Sequence, residues 1–290
     1  MLILFDLDGT IVKSSEKLTI IMANVLESLR ANGNILGIVG GGSFTKIMEQ
    51  LNGYDYLFQY IFSECGSVIH KLKSNTIWKC LTISVPSYIY SNDKLSHKLL
   101  CKKNIMDVLL PDDLALIEKT FMNSIYTNDF IKKLNIEQYN YLSDTNGYVD
   151  VRQGLIYLSP VGMKSTMEYR TKYLDYKLND LWRTQTITEL KNLKIPGLTV
   201  VVGGQLGIAI YPDKWDKSQI VPFIKNHKDL KNEEIVFFGD KTDVTGNDYP
   251  LYNHTEVIGY SVSSPENTLA QLDFIFFNTP KHSLSNQNIV

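Results

Sequence analysis

The sequence predicts an α/β protein in which a parallel sheet flanked by helices is interrupted by an inserted α+β unit. Three observations predict it. The first fifty residues alternate apolar strand, loop, helix, strand, loop and helix, the pattern of a parallel sheet built from crossover units. The middle of the chain abandons that alternation for hairpin pairs and long helical stretches. Near the carboxyl end another apolar strand runs into a charged loop, and the first pattern resumes.

The elements follow in order. Leu2–Phe5 is an apolar run that stops at Asp6-Leu7-Asp8-Gly9-Thr10. Ser14 or Ser15 can cap the next helix, whose apolar positions Leu18, Ile21, Met22, Val25, Leu26 and Leu29 keep helical spacing until Gly33. Ile35–Val39 is the second strand, Gly40-Gly41-Gly42-Ser43 follows it, and a helix runs through 46–51. Residues 148–152 and 155–159 flank Gln153-Gly154 as a hairpin, 163–193 is mainly helical in pattern, and 198–202 with 207–211 forms a second strand pair. Residues 234–238 form the last clear strand, followed by Gly239-Asp240-Lys241-Thr242 and then Gly246-Asn247-Asp248. Residues 1–74 and 214–290 are therefore expected to form the parallel-sheet domain and 75–213 the α+β insert. Residues 74–99 read as a loop or extra hairpin, and the Ser- and Asn-rich tail from Thr279 as frayed.

At 290 residues the chain can hold one large domain or two ordinary ones. With 44% hydrophobic and 21% charged residues it has the composition of a soluble globular protein, and a net charge of −2 gives no reason to expect nucleic acid or an anionic membrane as partner. The three cysteines, Cys65, Cys80 and Cys101, form no CxxC pair and leave one over. That argues for a reducing compartment. The four-residue apolar run before Asp6 is too short for a signal sequence, and no apolar stretch approaches membrane-spanning length. The expectation is a cytoplasmic protein.

Asp6 and Asp8 carry the chemistry. Side chains at i and i+2 of an extended segment point the same way, so both acids can face one site. Two neighbouring carboxylates stay ionised together only with a cation between them. A hard ion such as Mg2+ suits carboxylates plus a substrate phosphate, and an aspartate attacking phosphorus needs such screening. Ligand sites of open α/β sheets lie beyond the carboxyl ends of the strands. Asp6, Asp8, Ser43 and Asp240 all stand at such ends, which makes them candidates for one shared site.

These stretches resemble the haloacid-dehalogenase-like (HAD-like) phosphotransferases, and within them the eukaryotic-type phosphomannomutases. The likeness runs through Phe5-Asp6-Leu7-Asp8-Gly9-Thr10, Val39-Gly40-Gly41, Ser63-Glu64-Cys65-Gly66, Val151-Arg152-Gln153-Gly154 and Ser159-Pro160-Val161-Gly162. It continues through Pro212-Asp213-Lys214-Trp215-Asp216-Lys217, Gly239-Asp240-Lys241-Thr242 and Gly246-Asn247-Asp248. The resemblance implies a HAD-like core with an inserted cap, Asp6 as nucleophile and Asp8 as general acid/base. It further implies Mg2+ held by Asp6, the Asp8 backbone carbonyl and Asp240, with Asn247 and Asp248 behind these ligands. Lys217 would neutralise the transferring phosphoryl group. A hexose bisphosphate would serve as activator while mannose 6-phosphate and mannose 1-phosphate interconvert, feeding GDP-mannose synthesis. The cap would bind the distal phosphate through Arg152 and Arg170 and make a homodimer contact.

Other positions depart from the family pattern. Ser15 and Met163 stand where arginines are expected, with Lys164 beside Met163; Gly42 replaces a serine, with Ser43 one position on. Gly207 and Ala209 replace a serine and an aspartate that contact substrate. Ser43 and Lys164 can stand in for their neighbours as substrate-binding groups. The altered cap leaves two alternatives to a mutase: a sugar-phosphate phosphatase, if water reaches the aspartyl-phosphate, or a weakly active member kept as a binding scaffold.

Overall fold

Leu2–Phe5 (β1) is buried along its whole length, as four apolar residues with no polar face require of a central strand. In the computed structural model, which describes residues 1–73, 96–139 and 147–278, it pairs in parallel with Ile35–Val39 (β2) on one side and Ile235–Gly239 (β10) on the other. Tyr60–Ser63 (β3) extends the parallel sheet beyond β2, and Val257–Ser261 (β11) extends it beyond β10. Val68–Leu72 (β4) then adds antiparallel to β3, and His97–Lys102 (β5) antiparallel to β4, giving the order β11-β10-β1-β2-β3-β4-β5.

Alternate residues of β1 point to opposite faces. Ile3 and Phe5 pack with Leu26 and Leu29 of Ile20–Ala31 (α1), Ile47 and Leu51 of Phe44–Leu51 (α2), and Leu272 of Pro265–Leu272 (α9). Leu2 and Leu4 pack with Ile220, Val221 and Ile224 of Ile220–Asn226 (α7). Helices on both faces of a parallel sheet make this an α/β fold.

Two expectations shift here. Helix α1 is capped by Thr19, whose hydroxyl accepts the Met22 N–H, and not by Ser14 or Ser15. Ser15 has φ +63° and gives its N–H to Asp8 Oδ1 at 2.8 Å, so the chain is still looping there. Residues 97–102, expected in the insert, are the edge strand of the larger sheet. Strand β4 runs away from the carboxyl ends of the parallel strands and β5 returns, so residue 73 departs from the sheet end opposite those ends and residue 96 re-enters there: Leu72 N–H bonds Gln59 O, and Lys73 N–H bonds Ser96 O. The described ends of the 74–99 segment are thus rooted far from the loops that carry Asp6 and Asp240. Residues 74–95 themselves, and the tail from Thr279, lie outside the described residues.

The second sheet is antiparallel. Val149–Val151 (β6), Ile156–Leu158 (β7), Gly207–Pro212 (β9) and Leu198–Gly203 (β8) lie side by side in that order. One face packs under Pro111–Thr127 (α3), Asp129–Tyr139 (α4), Met167–Leu174 (α5) and Asn179–Asn192 (α6), through Ile156, Leu158, Ile208, Ile210, Phe121, Leu134, Tyr173 and Trp182. The other face carries Leu155, Tyr157, Val201, Ala209 and Tyr211, which gather with Cys65 and Trp215 from the larger sheet's side. The helix-free face is thus turned toward the carboxyl ends of the parallel strands.

Candidate active site

Because β1 and β10 are parallel neighbours, their carboxyl ends deliver Asp6 and Asp240 to the same edge. Asp248 arrives from the start of the short helix Tyr249–Tyr252 (α8) and Lys217 from the turn Lys217–Gln219. Carboxylate oxygens of Asp6, Asp240 and Asp248 lie within 4.8 Å of one another. Lys217 is fully buried; its ammonium donates to Asp6 Oδ1 at 2.5 Å and to Asp248 Oδ1. Asp248 Oδ2 accepts the Lys241 N–H at 2.9 Å, which fixes the loop after β10. Gly9, at φ +90°, allows that loop to close: a Cβ there would stand 2.5 Å from Asp240 Oδ2.

Three carboxylates meet two ammoniums, the buried Lys217 and the more exposed Lys241, whose Nζ lies 3.5 Å from Asp240 Oδ2. One negative charge is left over if all ionise, and burial resists that. Asp6 is pushed up to about 7, chiefly by burial, with Asp248 and Asp240 adding to the rise and Lys217 opposing it. Asp240 is raised chiefly by burial, with Lys241 opposing the rise and Asp248 adding to it. Lys217 is raised despite its burial, because Asp248 and Asp6 flank it. A divalent cation would resolve the crowding. Asn247, next to Asp248 in the chain, has a buried Oδ1 without a hydrogen-bond partner, a neutral oxygen of the kind hard cations take. The donor set therefore fits a metal such as Mg2+.

Asp8 is held differently. Its carboxylate accepts from Gln50 Nε2 at 2.8 Å, Lys46 Nζ at 3.3 Å and the Ser15 N–H. Burial works against its charge, yet Lys46, Ser15 and Gln50 together hold it below the ordinary carboxylate range. Asp6 and Asp8 thus share a loop but turn to different partners, one to Lys217 and one to α2. Lys46 and Gln50 were not singled out by sequence. The signal was their i, i+4 spacing, which puts both on one face of the helix after the glycine loop. Ser43 caps that helix, its hydroxyl accepting the Lys46 N–H.

The smaller sheet reaches the site through its first hairpin. Arg152 Nη1 donates to Gly41 O of the glycine loop at 3.3 Å, and its Nε pairs with Asp150 at 2.6 Å. Glu64, buried in the loop after β3, accepts the Gly154 N–H at 2.8 Å. Lys103 gives its ammonium to Gln219 Oε1 at 2.6 Å and lies 4.8 Å from the centre of the Trp215 ring, so it joins the two segments that pass between the sheets. Arg170 stands back from this contact; its guanidinium bonds Met163 O and Ser165 O at 3.1 Å. Lys164 is exposed in the same turn.

Gly154 is where the hairpin meets the loop after β3. A Cβ at that position would stand 2.2 Å from Ser67 Oγ and 3.0 Å from Glu64 O. Gly154→Ala should therefore lower stability by about 1–3 kcal/mol, the usual range for overpacking. Chemical denaturation of variant and parent measures it.

The eukaryotic phosphomannomutase family matches residues 22–85 and 115–278. The chain belongs to that family. Phosphomannomutase 2 of Dictyostelium discoideum is 30% identical over 278 residues, covering 94% of this chain and 96% of its own. The phosphomannomutase of Solanum lycopersicum is 29% identical over 282 residues, covering 95% and 94%. Among solved structures, a haloacid dehalogenase-like hydrolase from Bacteroides thetaiotaomicron superposes with a TM-score of 0.56 at 12% identity, over 95% of this chain and 99% of that one. An IMP-nucleotidase of Plasmodium falciparum gives 0.55 at 16% identity, over 94% and 67%. These structures establish the HAD-like fold. Among the described residues of this phosphomannomutase-family chain, no helix is long and apolar enough to cross a membrane.

Proposed function

We propose that this chain is a magnesium-dependent phosphomannomutase of the cytoplasm, interconverting mannose 6-phosphate and mannose 1-phosphate with a hexose bisphosphate as activator. The observation that carries the reading is the Lys217 ammonium shared between Asp6 and Asp248 beside Asp240, within a family of that name. Asp6 Oδ2, the oxygen that Lys217 does not occupy, is the attacking atom. It forms a bond to phosphorus as the sugar oxygen leaves, and Asp8 returns to that oxygen the proton it took from the sugar hydroxyl in the preceding transfer. That preceding transfer, from phosphorylated Asp6 to the other sugar oxygen, begins with the ionised Asp8 taking the hydroxyl proton. Lys217 holds Asp6 in position and offsets the charge of the phosphoryl group. Asp6, Asp240 and the Asp8 carbonyl would hold Mg2+, which when bound screens the carboxylates from the incoming phosphate. Asn247 and Asp248 support that set from behind.

Residues from 103 to the end of β9 serve in this reading as a cap that places substrate, excludes water and supplies the homodimer contact. Arg152 crosses to the glycine loop and suits a phosphate through its forked donors. Arg170 and Lys164, one turn further into the cap, and Ser43 at the glycine loop complete the cationic and hydroxyl groups around the sugar phosphate. The test is interconversion of the two mannose phosphates with magnesium and catalytic bisphosphate. Isomer formation without phosphate release is expected; phosphate release exceeding isomer formation would make the chain a phosphatase, and no turnover of any hexose phosphate would make it a scaffold.

Metal dependence carries its own pH signature. Asp6 is raised to about 7 by burial, above its unfolded value near 3.8. Between those values the folded chain holds a proton that the unfolded chain has lost, so Asp6 lowers metal-free stability increasingly as pH rises from about 4 to 7. Magnesium requires the deprotonated carboxylate. The magnesium-induced rise in Tm should therefore be larger at pH 8 than at pH 6, as thermal unfolding at fixed ionic strength would show.

A further inference from the structure

Tyr157 stands outside the phosphoryl machinery, yet it dominates the helix-free face of the cap sheet. Its ring leans along the sheet over three glycines. A Cβ at Gly207 would lie 2.6 Å from its Cζ, one at Gly203 would lie 3.0 Å from its Cε2, and one at Gly204 would lie 3.8 Å from its hydroxyl. Ala209 is its direct cross-strand neighbour. No side chain longer than a methyl therefore rises from Gly203, Gly207 or Ala209, and the phenol occupies the room. The ring is half-buried and leads on to Arg152, whose guanidinium lies 4.9 Å from its centre and reaches Gly41 O of the glycine loop.

Covering glycines with an aromatic ring can by itself stabilise a sheet. Two features go beyond that. The ring sits on the face turned toward Cys65 and Trp215 on the larger sheet's side, away from the cap's own helices. It also backs the arginine that bridges to the glycine loop, so anything bound by Arg152 lies alongside the phenol. Burial raises the phenol, with Arg152 opposing the rise, so the hydroxyl stays a donor.

We propose that Tyr157 is a specificity-determining residue: with its ring held between the glycines and Arg152, it offers the sugar one phenolic donor where Gly207 and Ala209 offer no polar side chain. This rests on the sugar-phosphate reading above. A hydrogen-bonding group aimed at one hydroxyl distinguishes sugars that differ there far more sharply than an apolar contact does. Tyr157 is thus what sets the preference between mannose and glucose phosphates in this chain.

The experiment compares full-length Tyr157→Phe and Tyr157→Ala with the parent. KM and kcat are measured for mannose 1-phosphate and glucose 1-phosphate, and Kd for both by calorimetry with EDTA present. Tyr157→Phe should raise Kd about fivefold by removing one hydrogen bond. Tyr157→Ala should raise it by at least about tenfold, with kcat changed less than about threefold. The mannose-to-glucose ratio of kcat/KM should shift by at least about threefold in Tyr157→Ala. A ring that only shields glycines would lower Tm and leave Kd and the sugar ratio within about twofold in Tyr157→Phe, which keeps the ring; that result overturns the proposal. If the parent binds both sugar phosphates but isomerises neither, the mutase reading fails, and the Kd values still decide the role of Tyr157.

Discussion

Asp6→Asn should lower turnover by at least about 10,000-fold, as removal of a nucleophile does in other covalent mechanisms, and should abolish phosphoenzyme formation. Asparagine keeps the size of the side chain and can still meet the Lys217 ammonium through its carbonyl. What it lacks is the anionic oxygen that bonds phosphorus. The variant should also be at least as heat-stable as the parent when magnesium is withheld at pH 8. The carboxylate it removes is ionised there against burial and against Asp248 and Asp240. Lost turnover with unimpaired Tm separates chemistry from folding. Incorporation of labelled phosphate from the bisphosphate, followed by acid quench, reads the first, and thermal unfolding reads the second. Retained labelling in Asp6→Asn would place the acceptor elsewhere.

Lys217→Met should be costly in both respects. Methionine matches the length of lysine without its charge, so Asp6 and Asp248 would face each other with no cation between them. Removing one partner from a buried ion pair costs about 3–5 kcal/mol, and losing a donor aimed at developing charge costs about 100–1,000-fold in kcat. Lys217→Met/Asp248→Asn should recover much of the stability, because the unpaired carboxylate goes too, but none of the activity. Denaturant unfolding and steady-state rates of the two single variants and the double variant form a closed cycle that isolates the pair. If Lys217→Met keeps the parent's stability and rate, the buried ammonium has no part in holding the site together.

The parts of the fold legible in the sequence are those where one physical demand acts alone. Leu2–Phe5 carries no polar residue and admits only a strand buried on both faces. Asp6 and Asp240 follow such strands directly, so their place at one sheet edge follows from parallel pairing. Where two demands compete, sequence misleads. Ser14 and Ser15 have the chemistry of a helix cap, but the bond from the Ser15 N–H to Asp8 holds the chain out of the helix until Thr19. The strands β4 and β5 mix His70, Lys71, His97 and Lys98 with apolar residues, the two histidines buried, so their periodicity is weak and the sequence groups residues 97–102 with the insert. Within the site, Asp6, Lys217, Asp240 and Asp248 come together across the whole length of the chain, and the motifs pointed to them. The partners of Asp8 were hidden because Lys46 and Gln50 belong to a helix whose packing, not whose sequence, brings it against the first loop.

Lys103 ties together the only two covalent passages between the sheets among the described residues, one leaving β5 and the other arriving at Lys217. A body tethered at two adjoining points swings easily about the line through them and resists every other displacement. Separation of the two sheets would then resemble a door on its jamb, with the Arg152 contact at Gly41 as the latch. One angle would then set the distance from the Arg152 guanidinium to the glycine loop, so any closure would return it to Gly41 O.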